Sequence, residues 1–252
     1  MSTDQQRQAS QGQRRLDAAQ TADFYHDRFV EDQVRDFITL LGPGGESLCV
    51  VADIGGGCGY FARALQADSA WQVRVLDMDP LSVASCHQQG LRAEVGDALA
   101  PQHRGDEALA AFNLMLHHLV GANDRGTRAL QVRALQAWQG RAERVFINEY
   151  IYESYLLPRL SAWLIYAITA SRTLSRLAKA VARWVPSLRA NTFGVGVRFR
   201  TVDDWRALFG EAGWQVLASQ RGAEERVSPA RRMLMIRSCR RDSFLLQSKD
   251  KP

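Results

Sequence analysis

Apolar positions along this chain of 252 residues follow two spacings, and the switches between them mark its elements. Phe24, Phe29, Val34, Phe37, Ile38 and Leu41 recur at near-helical spacing until Gly42-Pro43-Gly44-Gly45 ends the run, which predicts a helix ahead of the first strand. Short apolar runs then alternate with amphipathic ones. Residues 48–54, 71–76, 91–95, 107–111 and 144–148 read as five strands, residues 60–66 and 126–139 as helices, and Pro80 suits the first turn of another helix. This alternation predicts an α/β fold with a doubly wound, mostly parallel sheet, whose ligands bind beyond the carboxyl ends of the strands.

After the fifth strand the rhythm breaks. Residues 150–189 read as a long, mostly helical stretch carrying Trp163, Leu164, Ile165, Leu174, Leu177, Val181 and Trp184. It is too long for a plain crossover, so a helical cap inserted at about residues 150–200 is expected above the strand ends. Residues 201–212 then read as a helix, and residues 214–219 and 233–237 as two last strands joined by a charged loop at 221–231. Residues 1–22 are rich in Gln, Arg and Ala and read as a flexible or weakly helical arm, leaving residues 23–252 as one domain.

Composition narrows the class. A hydrophobic content of 46% at this length supports one domain with a sizeable core. Residues 1–150 hold 14 Lys+Arg against 19 Asp+Glu, whereas residues 151–252 hold 18 against 8. A basic half of this kind suits nucleic acid, an acidic substrate or a membrane surface, or simply solvated helix faces. The apolar run at 156–170 is interrupted by Pro158 and Arg159, so no uninterrupted span of about 20 apolar residues exists to cross a bilayer. Arg172, Arg176, Lys179 and Arg183 recur three or four residues apart, which makes a helix resting on a membrane the second reading behind a buried cap helix. Cys49, Cys58, Cys86 and Cys239 lie far apart without a Cys-x-x-Cys pair, arguing against a zinc site or a disulfide framework and for a reducing cytoplasm. No metal is expected. The polar N-terminus lacks the apolar core of a secretory signal.

The stretch from Val50 to Phe61 is the most informative. An apolar run ends in Asp53 and pours into Gly55, Gly56, Gly57 and Gly59, a turn that lets a ligand lie against the main chain at the start of a helix. Gly57-x-Gly59-x-x-Ala62 satisfies the dinucleotide fingerprint with Asp77 at about the distance of a ribose-binding acid, so an NAD-dependent oxidoreductase has to be weighed. The register from Asp53, Asp-x-Gly-x-Gly-x-Gly, resembles motif I of the class I S-adenosylmethionine-dependent methyltransferases, and Asn113-Leu-Met-Leu-His-His-Leu119 resembles the segment after that family's fourth strand. The resemblance covers about residues 23–150 and, loosely, the last strands, where residues 205–216 look like the family's late helix and strand. Asp106-Glu107 departs from the usual Phe-Asp opening of strand four. The absence of Asn/Asp-Pro-Pro-Tyr, a signature of many enzymes that methylate bases or glutamine, turns the expected acceptor toward small molecules.

The resemblance implies a Rossmann-like sheet of seven strands, the last antiparallel, and S-adenosyl-L-methionine as cofactor. It implies Gly55, Gly57 and Gly59 as the cradle, Asp53 meeting the ammonium group directly or through water, Asp77 on the ribose hydroxyls and Met78 against the adenine. Asp97, with Ala98 beside it, is implied at the adenine amino group, Phe112 and Asn113 on the sulfonium side, and Tyr25 with His26 in an aromatic lid. A carboxylate where a pyrophosphate would lie, and the lack of any Tyr-x-x-x-Lys, count against the NAD enzyme. A nucleic-acid methyltransferase and a non-methylating relative that binds the same cofactor remain alternatives.

Methyl transfer is an in-line displacement, which needs a base only when the acceptor carries a proton that must leave. His117 and His118, just past strand four, and Glu149, just past strand five, are the catalytic candidates. The competing readings are packed or capping histidines and a solvent-facing Glu. Tyr150, Tyr152 and Tyr155 are placed to orient an acceptor, and Arg198 and Arg200 to meet an anionic one or to line the outer face of a short strand. The expected activity is methylation of an O or N atom of a small-molecule acceptor, a secondary metabolite.

Overall fold

The computed structural model describes residues 29–44, 50–171, 173 and 196–249. Eight strands form one sheet: β1 (Val50–Ile54), β2 (Gln72–Asp77), β3 (Arg92–Val95), β4 (Glu107–Asn113), β5 (Arg144–Ser154), β6 (Trp214–Gln220), β7 (Glu224–Glu225) and β8 (Ile236–Ser248). Their order is β3-β2-β1-β4-β5-β8-β6, with β7 beside β8. The first five strands are mutually parallel, and β8 runs antiparallel to both β5 and β6. The chain winds outward from β1 to β3, then crosses to β4 on the other side, so the carboxyl ends of β1 and β4 flank the topological switch point.

Helices cover both faces: α1 (Val30–Leu41), α2 (Tyr60–Asp68), α3 (Pro80–Gln88), α4 (Asp124–Gln136), α5 (Pro158–Ala170), α6 (Val202–Glu211) and the short α7 (Pro229–Met233). Strand alternation sends Val51, Val73, Val75, Ala111 and Phe146 to one face, where Phe37 of α1 meets Phe61, Trp71 and Phe146 edge to face. Ala52, Ile54, Phe112, Val145 and Ile147 point the other way, onto Trp138, Trp205 and Phe209. Each face buries an apolar layer of its own, the arrangement that keeps a parallel sheet in the interior.

Ion pairs explain where the sequence pattern misleads. Glu107, of the Asp106-Glu107 pair that stands where the resemblance would put Phe-Asp, is buried against the buried Arg74 of β2 and accepts the amides of Arg104 and Gly105 at 2.9 and 2.8 Å. It anchors the start of β4, which runs two residues past the expected end to Asn113. The last strand begins at Ile236 and not at Met233, which closes α7, and it continues to Ser248. Its polar middle is paired: Arg240 binds Asp242 at 2.9 Å and Glu153 at 3.2 Å. That long strand pulls β5 out to Ser154, because Tyr150, Tyr152 and Ser154 pair with Arg241, Cys239 and Ile236. The start assigned above to the helical insertion is therefore strand, and its helix begins at Pro158.

The arm at 1–22, Tyr25, His26, Cys49, the first two residues expected of strand one, and most of the stretch at 172–195 lie outside the described residues. Cys58, Cys86 and Cys239 are free thiols. Among the described residues no helix is long and apolar enough to cross a membrane, and no group of His, Cys, Asp and Glu is placed to hold a metal ion.

Candidate active site

At the carboxyl end of β1 the chain turns through Gly55, Gly57 and Gly59, all at positive φ (69°, 55° and 76°), before α2 starts without a capping side chain. Gly56 sits over the Asp53 carboxylate so closely that a Cβ there would collide with it, and a Cβ on Gly59 would meet Leu91 Cδ1 at 2.5 Å. Only glycine fits these two positions. Asp77, at the end of β2, locks the turn: its Oδ2 accepts the Gly57 amide at 2.9 Å and its Oδ1 the Asp79 amide at 2.8 Å. Burial raises its pKa above the ordinary value, while those two amides pull the other way. Asp97, past β3, accepts the Leu99 amide at 2.8 Å. The Gly55 amide donates to Leu76 O at 2.7 Å and the Gly96 amide to Asp77 O at 2.9 Å, so Gly55, Gly57, Asp77 and Gly96 share one rim, and Met78, Asp97 and Ala98, next to them in the chain, are partly exposed.

Asp53 lies beneath this rim. It is fully buried, its Oδ1 accepts from Asn113 Nδ2 at 3.3 Å, and its Oδ2 has no hydrogen-bond partner. Burial, and secondarily the negative charge of Asp77, push its pKa up to about 7 against the opposing Asn113 bond. Asn113 is thus bonded to Asp53, whereas alternation along β4 turns Phe112 to the opposite face, where it is buried in the core with Ile54 and Leu116. Two residues missed above stand here. Leu114 adopts φ 52° and donates its amide to Asn148 O at 2.8 Å, and Met115 packs its side chain under Gly55. A leucine at positive φ is strain of the kind that gathers at functional sites. No apolar periodicity reports it.

A second group lies over β4 and β5. His117 belongs to the 3₁₀ turn Leu116–His118. Its Nδ1 is 2.8 Å from Glu149 Oε2, and its amide donates to Glu149 Oε1 at 3.3 Å. Glu149 is fully buried inside β5, beside Asp242 of β8, and is neither past the strand nor facing solvent. With Glu149 accepting from Nδ1–H, the lone pair of His117 resides on Nε2. His118 packs on His117 at 4.1 Å between ring centroids, and burial together with that neighbour lowers its pKa well below the ordinary value, keeping it neutral near pH 7. Tyr150 and Phe199 complete a ring of aromatic faces at 5.7 and 5.4 Å from His117. The Arg198 amide donates to His117 O at 3.0 Å, so the segment ahead of α6 is fastened to this turn. Arg200 points away, onto Gln131 of α4 at 2.9 Å, and Tyr152 packs under α5 with its hydroxyl on Pro158 O at 2.7 Å. Tyr155 is exposed.

A scan against protein-family models finds no match, and a search of the curated proteins finds no relative. Solved structures do share the fold. NcsB1, an O-methyltransferase from neocarzinostatin biosynthesis solved with S-adenosylmethionine and 2-hydroxy-5-methyl naphthoic acid, aligns at 17% identity and a TM-score of 0.51 over 88% of this chain and 55% of its own. LepI in complex with SAM aligns at 15% and 0.51 over 87% of this chain and 46% of its own. MccD aligns at 13% and 0.55 over 87% and 97%. The chain spans about half the length of the first two. The fold is the Rossmann-like fold of class I S-adenosylmethionine-dependent methyltransferases.

Proposed function

We propose that the chain is an S-adenosylmethionine-dependent methyltransferase acting on an O or N atom of a small molecule. The observation that carries this reading is the ring of three carboxylates, Asp53, Asp77 and Asp97, at the ends of three neighbouring strands around a glycine turn, with one buried oxygen of Asp53 unpartnered. The residues fit the cofactor. An ionised carboxylate only accepts hydrogen bonds, so it selects a diol at Asp77 and an amine at Asp97. The orphaned Asp53 oxygen beneath the turn calls for a cation, which an ammonium group satisfies directly or through water. Bound S-adenosylmethionine would supply an electrophilic methyl group on a sulfonium. Phosphates of NAD would meet Asp53 with like charge.

The chain's own contribution to catalysis lies in the second group. Glu149 fixes the ring of His117 through Nδ1 and its position through the amide, which leaves Nε2 to take a proton from an acceptor hydroxyl or amine. Tyr150, Phe199 and neutral His118 pack around the His117 ring, aromatic surroundings suited to a flat acceptor. The naphthoic acid bound by NcsB1 supports an acceptor of that kind. The insertion expected after β5, whose described helix is α5, would roof the acceptor side. Thermal melting tests the reading: S-adenosylmethionine or its demethylated product raises the melting temperature and NAD does not, and label from the methyl group then appears in a small-molecule fraction of a cell extract. Stabilisation by NAD alone would end it.

A further inference from the structure

The turn between β5 and α5, the outer side of α5 and the tip of α7 form an apolar surface that no chemistry above uses. Met233 is 84% exposed, Leu156 69%, Leu157 65% and Trp163 58%, with Tyr155 and Leu160 beside them. The elements are fastened into one surface: Ser161 Oγ donates to Leu234 O at 2.7 Å, and the Tyr155 amide and Ser154 Oγ both donate to Met235 O at 3.0 and 2.9 Å. Leu157 and Met235 sit at positive φ (47° and 62°), so the fold spends backbone strain to hold this corner while leaving leucine side chains in water. Large apolar groups collected in one exposed patch mark an interaction site.

Charge selects the occupant. Arg159, Arg231, Arg232 and Arg237 are exposed on the same segments, Arg231 being paired with Glu225 at 3.4 Å, and residues 155–163 and 228–237 contain no Asp or Glu. A second copy docking through the same patch would set these arginines against themselves across the symmetry axis. A nucleic acid would match the arginines but leave Leu156, Leu157 and Met233 without a partner. An anionic bilayer satisfies both, with leucines and tryptophan entering the acyl boundary and arginines on the headgroups. At 13 residues, about 20 Å, α5 is too short to cross and suited to lie in the interface. We propose that this corner docks the protein peripherally on an anionic phospholipid surface.

Sedimentation of the full chain with vesicles tests this without reference to catalysis. The protein is expected to pellet with vesicles of phosphatidylcholine and phosphatidylglycerol in equal parts and to stay in solution with phosphatidylcholine alone. Leu156→Ser with Trp163→Ser, and separately Arg159→Glu with Arg232→Glu, should each lower the partition coefficient roughly tenfold or more with unchanged thermal melting. Wild type remaining in the supernatant with both vesicles, or either double variant pelleting like wild type, overturns the proposal. So does a concentration-dependent dimer abolished by Trp163→Ser in the absence of vesicle binding, which would assign the patch to a second copy.

Discussion

The two sides of the strand-end crevice are built differently. Over β1 to β3 the groups come from short stretches of chain: Asp77 holds an amide 20 residues back and another two residues on, and Asp97 holds one two residues on. Over β4, β5 and β8 they come from far apart. His117 and Glu149 are separated by 32 residues, Ser243 donates to Asp36 at a separation of 207, and Arg241 reaches Asp32 at 209. The first side works with main-chain geometry and is written locally, and the second exists only once the sheet has closed. In the proposed enzyme that separates a cofactor side, whose chemistry is fixed, from an acceptor side that can vary by contacts at long range.

If the sides are separate, substitutions should split binding from rate. The largest effect belongs to the acceptor side: His117→Ala or Glu149→Gln should lower kcat by about 10²–10⁴ while the cofactor Kd stays within about twofold. Steady-state kinetics beside calorimetric titration reads both, and a cofactor affinity that falls as far as kcat would break the division. Next comes Asp77→Ala, which removes a charged acceptor from the ribose position and frees the Gly57 amide; hydrogen bonds to charged groups contribute about 1.5–3 kcal/mol, so cofactor affinity should drop about 10–100-fold. An unchanged Kd in that variant would count against the whole cofactor side.

The same split governs what the sequence made legible. Asp53, the glycines, Asp77 and Asp97 could be read because each stands within a few residues of the apolar run that positions it. The end of β5 and most of β8 could not. Ser238-Cys239-Arg240-Arg241-Asp242-Ser243 shows no apolar alternation to mark it as strand, because its charges are neutralised inside the fold, by Glu153, Asp32 and Glu225 for the arginines and by Arg240 for Asp242. Glu149 looked solvated for the same reason, since the partner that makes its burial tolerable lies 32 residues away. Phe112, which the resemblance puts on the sulfonium side, turns to the core because β4 and its alternation continue past it to Asn113.

Asp53 stands where the two sides meet, on β1 but bonded to Asn113 of β4, and its protonation sharpens the contrast by the sign of its effect. Its carboxyl titrates at about 7 in the folded chain, against an ordinary 3.8, chiefly through burial. Below the ordinary value both folded and unfolded states hold the proton, and the group contributes nothing to the pH dependence. Between the two values folding takes up a proton, so stability falls as pH rises, and above about 7 the full cost of a buried charge is present, at most about 4 kcal/mol. Asp53→Asn removes that charge and keeps an acceptor for Asn113. Without cofactor at pH 8 the variant should therefore be more stable than wild type, by about 2 kcal/mol after relaxation of the site, or about 4–8 °C in Tm. The gap should shrink as pH falls through 7 and vanish near pH 4. S-adenosylmethionine should narrow it at pH 8, because the ammonium group would compensate the wild-type carboxylate and has nothing to compensate in the amide. An acceptor-side counterpart such as Glu149→Gln should lower Tm at the same pH, since it weakens a buried hydrogen-bonded pair without relieving a desolvated charge that lacks a partner. Melting curves from pH 4 to 8, with and without cofactor, would show the two sides responding in opposite directions, and a destabilised Asp53→Asn at pH 8 would show that the carboxylate is compensated in the free protein after all.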